Sequence, residues 1–109
     1  MATAYKVLGQ VAPSATTATA VYTVPSATEA VVSTIVVCNR GASAGTYRLA
    51  VRPNGATLAN QHYLAYDVAV SANDALTITV GITLDAGDVL EAYASSGDMT
   101  FQAYGSEIS

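Results

Sequence analysis

Leu76, Ile78, Val80, Ile82 and Leu84 stand at every second position of the stretch Asp74–Tyr93, with Thr77, Thr79, Gly81 and Thr83 between them. A period of two places the aliphatics on one face of a strand and the threonines on the other. Nine residues at about 3.4 Å each span roughly 30 Å, long for a strand in a small domain. Asp85-Ala86-Gly87-Asp88 carries turn residues, and Val89–Ala94 reads as a strand returning beside the first. The hairpin so formed is expected to be the central layer on which the other segments pack. Nothing in it has the pattern of a reactive site.

The same reading extends along the chain. Tyr5–Val11 alternates, with a weak point at Gly9. Pro13–Thr17 is a loop, and Ala20–Val24 is a short strand stopped by Pro25. Ala30–Asn39 is the second long strand. Val31, Ser33, Ile35 and Val37 are expected on one face and Val32, Thr34, Val36 and Cys38 on the other, so both faces need a cover. Asn39–Gly45 turns into Thr46–Pro53, which puts Tyr47, Leu49 and Val51 inward and Arg48, Ala50 and Arg52 outward. Leu58–Asp67 gives a short strand with flanking loop, extended by Val68–Ser71. Met99–Tyr104 closes the set before a tail at Gly105–Ser109. Alanine favours helix, but the periodicity and the many Val and Thr residues outweigh that preference. Seven to eight strands separated by turn signals predict an all-β antiparallel sandwich, jelly-roll or immunoglobulin-like, over residues 1–109 as one domain.

Charge narrows the partners. Charged residues make up 11% of the 109-residue chain while hydrophobic residues make up 51%; soluble domains average about 25% charged. A surface built from Ala, Ser, Thr and Gly suits burial against other subunits more than life as a free monomer. The net charge of −4 argues against nucleic acid or an anionic membrane as partner. No apolar run has the length of a bilayer span, and no signal peptide is read at the N-terminus. The one cysteine, Cys38, has no partner in the chain for a disulfide and is expected to be a buried, inert thiol.

Candidate chemistry is sparse. His62 lacks the Ser elbow and orienting acid of a hydrolytic triad, and with Cys38 it falls short of a zinc ligand set. Asp85 and Asp88 flank a Gly turn and supply too few oxygens for a calcium loop. No phosphate-cradling glycine motif occurs. Tyr63 and Tyr66, or Tyr93 and Tyr104, can stack on a sugar or a partner subunit, and they serve equally as rim residues of the core. Arg48 and Arg52 share one side of a strand, to meet an acidic partner or solvent. No catalytic, cofactor-binding or metal-binding residue is assigned, and no cofactor is expected.

The segments YKVLGQVAPSATTATAVYTVPSATEAVVSTIVVCNRG, LAVRPNGATLANQHYLAYD and FQAYGSEI carry a resemblance over nearly the whole chain. It resembles small all-β virion structural proteins of tailed bacteriophages, including those of cyanobacteria. That resemblance implies a non-enzymatic structural protein of the particle, made and assembled in the host cytoplasm. A capsid decoration (cement) protein is the first reading, and a tail, baseplate or fibre-attachment piece the second. Its implied partners are copies of itself, with a trimer favoured, and the major capsid protein or another virion structural protein. A sugar-binding module contacting the host surface is the competing class.

Overall fold

The period-two runs become eight strands in the computed structural model, which describes residues 2–109. In chain order they are β1 (Thr3–Val11), β2 (Thr19–Thr23), β3 (Glu29–Asn39), β4 (Gly45–Arg52), β5 (Tyr63–Val70), β6 (Ala75–Leu84), β7 (Val89–Ala94) and β8 (Met99–Ile108). Two single 3-10 turns, Pro53–Gly55 and Asn60–His62, lie in the β4–β5 connection. The strands form two four-stranded antiparallel sheets, a first in the order β1-β8-β3-β6 and a second in the order β2-β7-β4-β5. The all-β antiparallel sandwich expected from the periodicity is what forms. Its core lies between the layers, where Val32, Ile35, Val37 and Phe101 of the first sheet meet Tyr47, Leu49, Leu90 and Ala92 of the second. Phe101 and Tyr47 touch across the gap in an edge-to-face contact, with ring centroids 6.1 Å apart.

The expected central hairpin does not exist. β6 pairs only with β3 and is an edge strand of the first sheet, whereas β7 lies inside the second sheet between β2 and β4. The turn Asp85–Asp88 therefore carries the chain from one layer to the other. Both β-turn chemistry and period-two alternation are the same in a hairpin and in a crossing connection, so neither signal separates them. The aliphatic face of β6 does point inward, but only Leu84 is buried. Leu76, Ile78, Val80 and Ile82 are half-buried, because an edge strand has a neighbour on one side alone. β8 runs on to Ile108 through the segment expected to be a tail, held by β1 on one side and β3 on the other.

Every ladder of the first sheet slips by one residue at the same level. The register shifts fall between Val7 and Gly9 in β1 and between Val32 and Thr34 in β3, where β3 meets both β8 and β6. In the β3–β6 pair Ser33 faces the two residues Val80 and Gly81, with Gly81 at φ +62°. The slip reverses the inside–outside phase of β3 at Ser33. Val32, Ile35 and Val37 all face the core, while Val31, Thr34, Val36 and Cys38 face out, unlike the unbroken alternation expected. Cys38 is consequently half-buried on the outer surface, not enclosed in the core.

Glycines permit two close approaches on this line. A Cβ on Gly105 would stand 1.9 Å from the Val31 carbonyl oxygen, and one on Gly9 would stand 2.0 Å from that of Val21. Gly105→Ala must push β8 from β3, and we expect a loss of at least about 1–3 kcal/mol by urea denaturation, the cost of overpacking. Ile35→Ala should cost about 2–5 kcal/mol, as full burial dictates, and Ile78→Ala clearly less. Equal losses at Ile35 and Ile78 would contradict the edge position of β6.

Candidate functional site

Residues opposite one another in an antiparallel pair share a face, so the registers give the outer surface of each sheet row by row. On the first sheet Tyr5, Ser106, Val31 and Thr83 form one row, and Val7, Tyr104, Thr34 and Thr79 the next. Gln10, Gln102, Val36 and Thr77 follow, then Thr100, Cys38 and Ala75. Glu29, in the end row with Thr3 and Ile108, is the single charged residue at an outward register position of this sheet among the described residues. Tyr5 and Val7 are exposed, at 86% and 47%. The small residues Gly105 and Ser106 floor a shallow trough walled by Tyr5, Lys6, Val7, Val31, Ser33 and Tyr104. Tyr104 donates its hydroxyl hydrogen bond to the Gln102 side chain in the same strip.

The second sheet has the opposite outer surface. Arg48 lies between the rings of Tyr66 and Tyr93, its guanidinium carbon 4.1 and 4.3 Å from their centroids. Its Nε donates to Asp67 Oδ1 at 2.7 Å. A bulge in β5 makes this possible: between the pairs Tyr47–Val68 and Leu49–Ala65, both Tyr66 and Asp67 oppose Arg48, and Asp67 has φ +53°. Arg52 lies 3.2 Å from Glu91 and donates to the carbonyls of Gly55 and Ala56. The β4–β5 connection folds over this surface, so that Leu58 and Tyr63 line a narrow crevice with Ala50 and Glu91 beneath. Ala50 faces outward in β4 yet is 2% exposed.

Of the aromatic pairs considered from sequence, Tyr63 and Tyr66 do meet, edge to face at 4.9 Å, and Tyr93 joins them through Arg48. Tyr93 and Tyr104 lie on opposite sheets and never meet. Arg48 covers one face of each ring a sugar would stack on, and Asp67 and Glu91 hold the two arginines within the chain. His62 Nδ1 accepts from the Ala59 amide at 3.1 Å and closes a 3-10 turn. Asp88 accepts from the amides of Asn54 and Asp85, and Asp85 from that of Ala86, so these carboxylates brace turns. Among the described residues no three His, Cys, Asp or Glu side chains cluster as metal ligands. Among the described residues no helix is long and apolar enough to cross a membrane.

Two polar constellations escaped the sequence reading. Asn39, 1% exposed, ends β3 and ties three segments. Its amide nitrogen lies 2.9–3.3 Å from the carbonyls of Ser43, Val70 and Ser71, and its oxygen accepts from Gly41. At the β1–β2 side, Glu107 accepts from the Tyr22 hydroxyl at 2.5 Å and from Lys6 Nζ at 2.9 Å, joining the sheets. The Tyr22 and Lys6 hydrogen bonds hold the Glu107 carboxyl below its ordinary 4.5. Burial, then the bond to Glu107, pushes the Tyr22 hydroxyl up.

No family model matches this chain, and no curated protein matches it. Among solved structures, a pentameric capsid protein isolated from metagenomic phage sequences aligns over 94% of this chain at 19% identity, with a TM-score of 0.28. The chain spans 59% of that protein's length.

Two outcomes test the polar ties. Asn39→Ala should cost about 1–3 kcal/mol in urea denaturation, since it strands buried backbone groups without partners. A lowered carboxyl stabilises the fold above its unfolded value and loses that effect as pH falls through the folded one. The gap in urea midpoint between the native chain and Glu107→Gln should thus be full at pH 7 and close below about pH 4.5. A gap unchanged at pH 3 would show that Glu107 contributes nothing as an anion.

Proposed function

We propose that this chain is a structural protein of a bacteriophage particle and acts through the outer surface of its first sheet. The observation that carries the reading is the contrast between the two outer surfaces. The second sheet is covered by its own β4–β5 connection and its charges are paired internally. Among the described residues, the outward register positions of the first sheet carry one charged residue, Glu29, with Lys6 at the rim of the trough. Four strands at about 4.8 Å and nine residues at about 3.4 Å make a face of roughly 600 Å² in projection. A standard protein interface takes about 800 Å² of accessible surface from each partner, and a corrugated face of this extent is of that order.

The occupant we assign is another subunit of the particle, a second copy or the major capsid protein. Tyr5, Val7, Val31 and Tyr104 supply the apolar contact, and the threonine and glutamine side chains supply hydrogen bonds at little desolvation cost. The strand order, two four-stranded sheets linked mostly by crossing connections, supports a jelly-roll reading, an arrangement found in viral capsid and lectin domains. The sequence resemblance points the same way. Within the particle we favour a decoration role as a trimeric cement protein, in which many small contacts sum over many copies. The trimer rests on the resemblance alone.

The isolated chain should run as a homo-oligomer in light scattering at micromolar concentration. Val31→Lys with Tyr5→Lys should lower the order of the oligomer while leaving the circular dichroism unchanged. Cys38, on the same surface, should react with a thiol reagent in dilute protein and slow at least about tenfold on assembly, as burial removes access. A native chain that stays monomeric, and that is absent from a map of its particle's head, would sink the reading.

A further inference from the structure

Four strands of this sandwich have a free lateral edge, and three of the four edges are blunted. β1 and β2 close on each other, with the Gly9 backbone against the Val21 carbonyl and the Lys6–Glu107–Tyr22 tie across the gap. β5 is broken by two register shifts, one of which sets Asp67 at positive φ and both of which disrupt a straight edge. β6 is different. From Ala75 to Thr79 it runs without a charge, a proline or a bulge, and Val80 and Gly81 break the line only beyond that point. An edge strand normally carries such protection, because its unpaired N–H and C=O groups template the addition of another strand.

The side chains beside that edge are equally unfinished. Leu76, Ile78 and Val80 point toward the core but remain half-exposed, as do Ala65 and Val68 of β5 across the seam. The matching occupant is an uncharged extended segment with apolar residues at every second position, facing the same way as those of β6. β6 itself meets that description. Two copies running antiparallel about a two-fold axis near Ile78 keep their inner faces on one side, as isologous pairing requires. We propose that β6 pairs with β6 of a second copy, making one continuous eight-stranded sheet and closing both apolar seams. This contact uses the edge of the first sheet and is separate from the outer surface assigned above, so either can hold without the other.

Hydrogen exchange reads the edge directly. In an antiparallel edge strand alternate residues direct both backbone groups away from the neighbour, and these amides are free to exchange. With the full chain at high micromolar concentration, those of Ala75–Thr79 should exchange at least about tenfold slower than at a dilution where the protein is monomeric. Thr77→Lys with Thr79→Lys should abolish this protection. Tyr5→Lys, distant on the same sheet, should leave it intact even where it weakens association through the outer surface. Fast exchange at every concentration would overturn the proposal, as would protection that persists in the dilute monomer. Protection gained only when a different virion protein is added would also overturn it, by giving the edge another occupant.

Discussion

Burial between the two sheets holds every other feature in place, because the chain hardly ever pairs with its own sequence neighbour. Of the seven connections only β4–β5 stays within a sheet; the other six cross from one layer to the other. No crossing pair of strands can hydrogen-bond into a local hairpin. Apart from β5, each strand acquires a partner from a distant segment, as when Thr3 meets Ile108 or Val37 meets both Leu76 and Phe101. The ladders hold only while the inner faces meet, and the inner faces meet around Phe101, Tyr47, Ile35 and Leu90. Loss of that contact would leave eight strands with few short-range reasons to persist.

The line of slips across the first sheet follows from the same demand. A bulge increases local twist and bends the strand that carries it. Aligned bulges bend the four strands together, so the sheet wraps the core as one body instead of splaying strand by strand. Two places on the line leave no room for a Cβ, Gly105 against β3 and Gly9 against β2, and at a third Gly81 takes a backbone conformation that a Cβ disfavours. The bend also decides what the outside of the molecule looks like. By reversing the phase of β3 at Ser33 it sends Ile35 and Val37 inward and leaves Val36 and Cys38 on the uncharged surface.

Much of this was legible in the residues. The alternation in Leu76–Leu84 and in Thr46–Arg52 gave real strands with the expected inner faces, and the count and class of elements followed. The pairing partners were not legible, since a turn such as Asp85–Asp88 looks the same whether it doubles back or crosses over. Nor was the phase break at Ser33, although Ser33 and Thr34 are the polar pair in the middle of an otherwise apolar run. Asn39 read as turn polarity, because a buried amide differs from an exposed one only in its partners, which come from 31 and 32 residues away in Val70 and Ser71. The doubly apolar character of β3 did survive translation into structure: one face meets the second sheet, and the other is the surface to which the assembly role is assigned. The arginine–tyrosine cluster was half visible, since Arg48 was placed outward, but the β5 bulge that delivers Asp67 to it left no period to read.

The place of β8 in the first sheet has a consequence for how the protein is made. Met99–Ile108 is interior, with β1 on one flank and β3 on the other. A ribosome delivers β1 and β3 long before it delivers the strand that separates them. Until β8 begins to clear the exit tunnel, β1 has no ladder at all and β3 has an empty slot on one side. The emerging chain therefore holds an open, sticky half-sheet for most of its synthesis, and a chaperone that shields β3 during that interval would raise the yield of soluble protein.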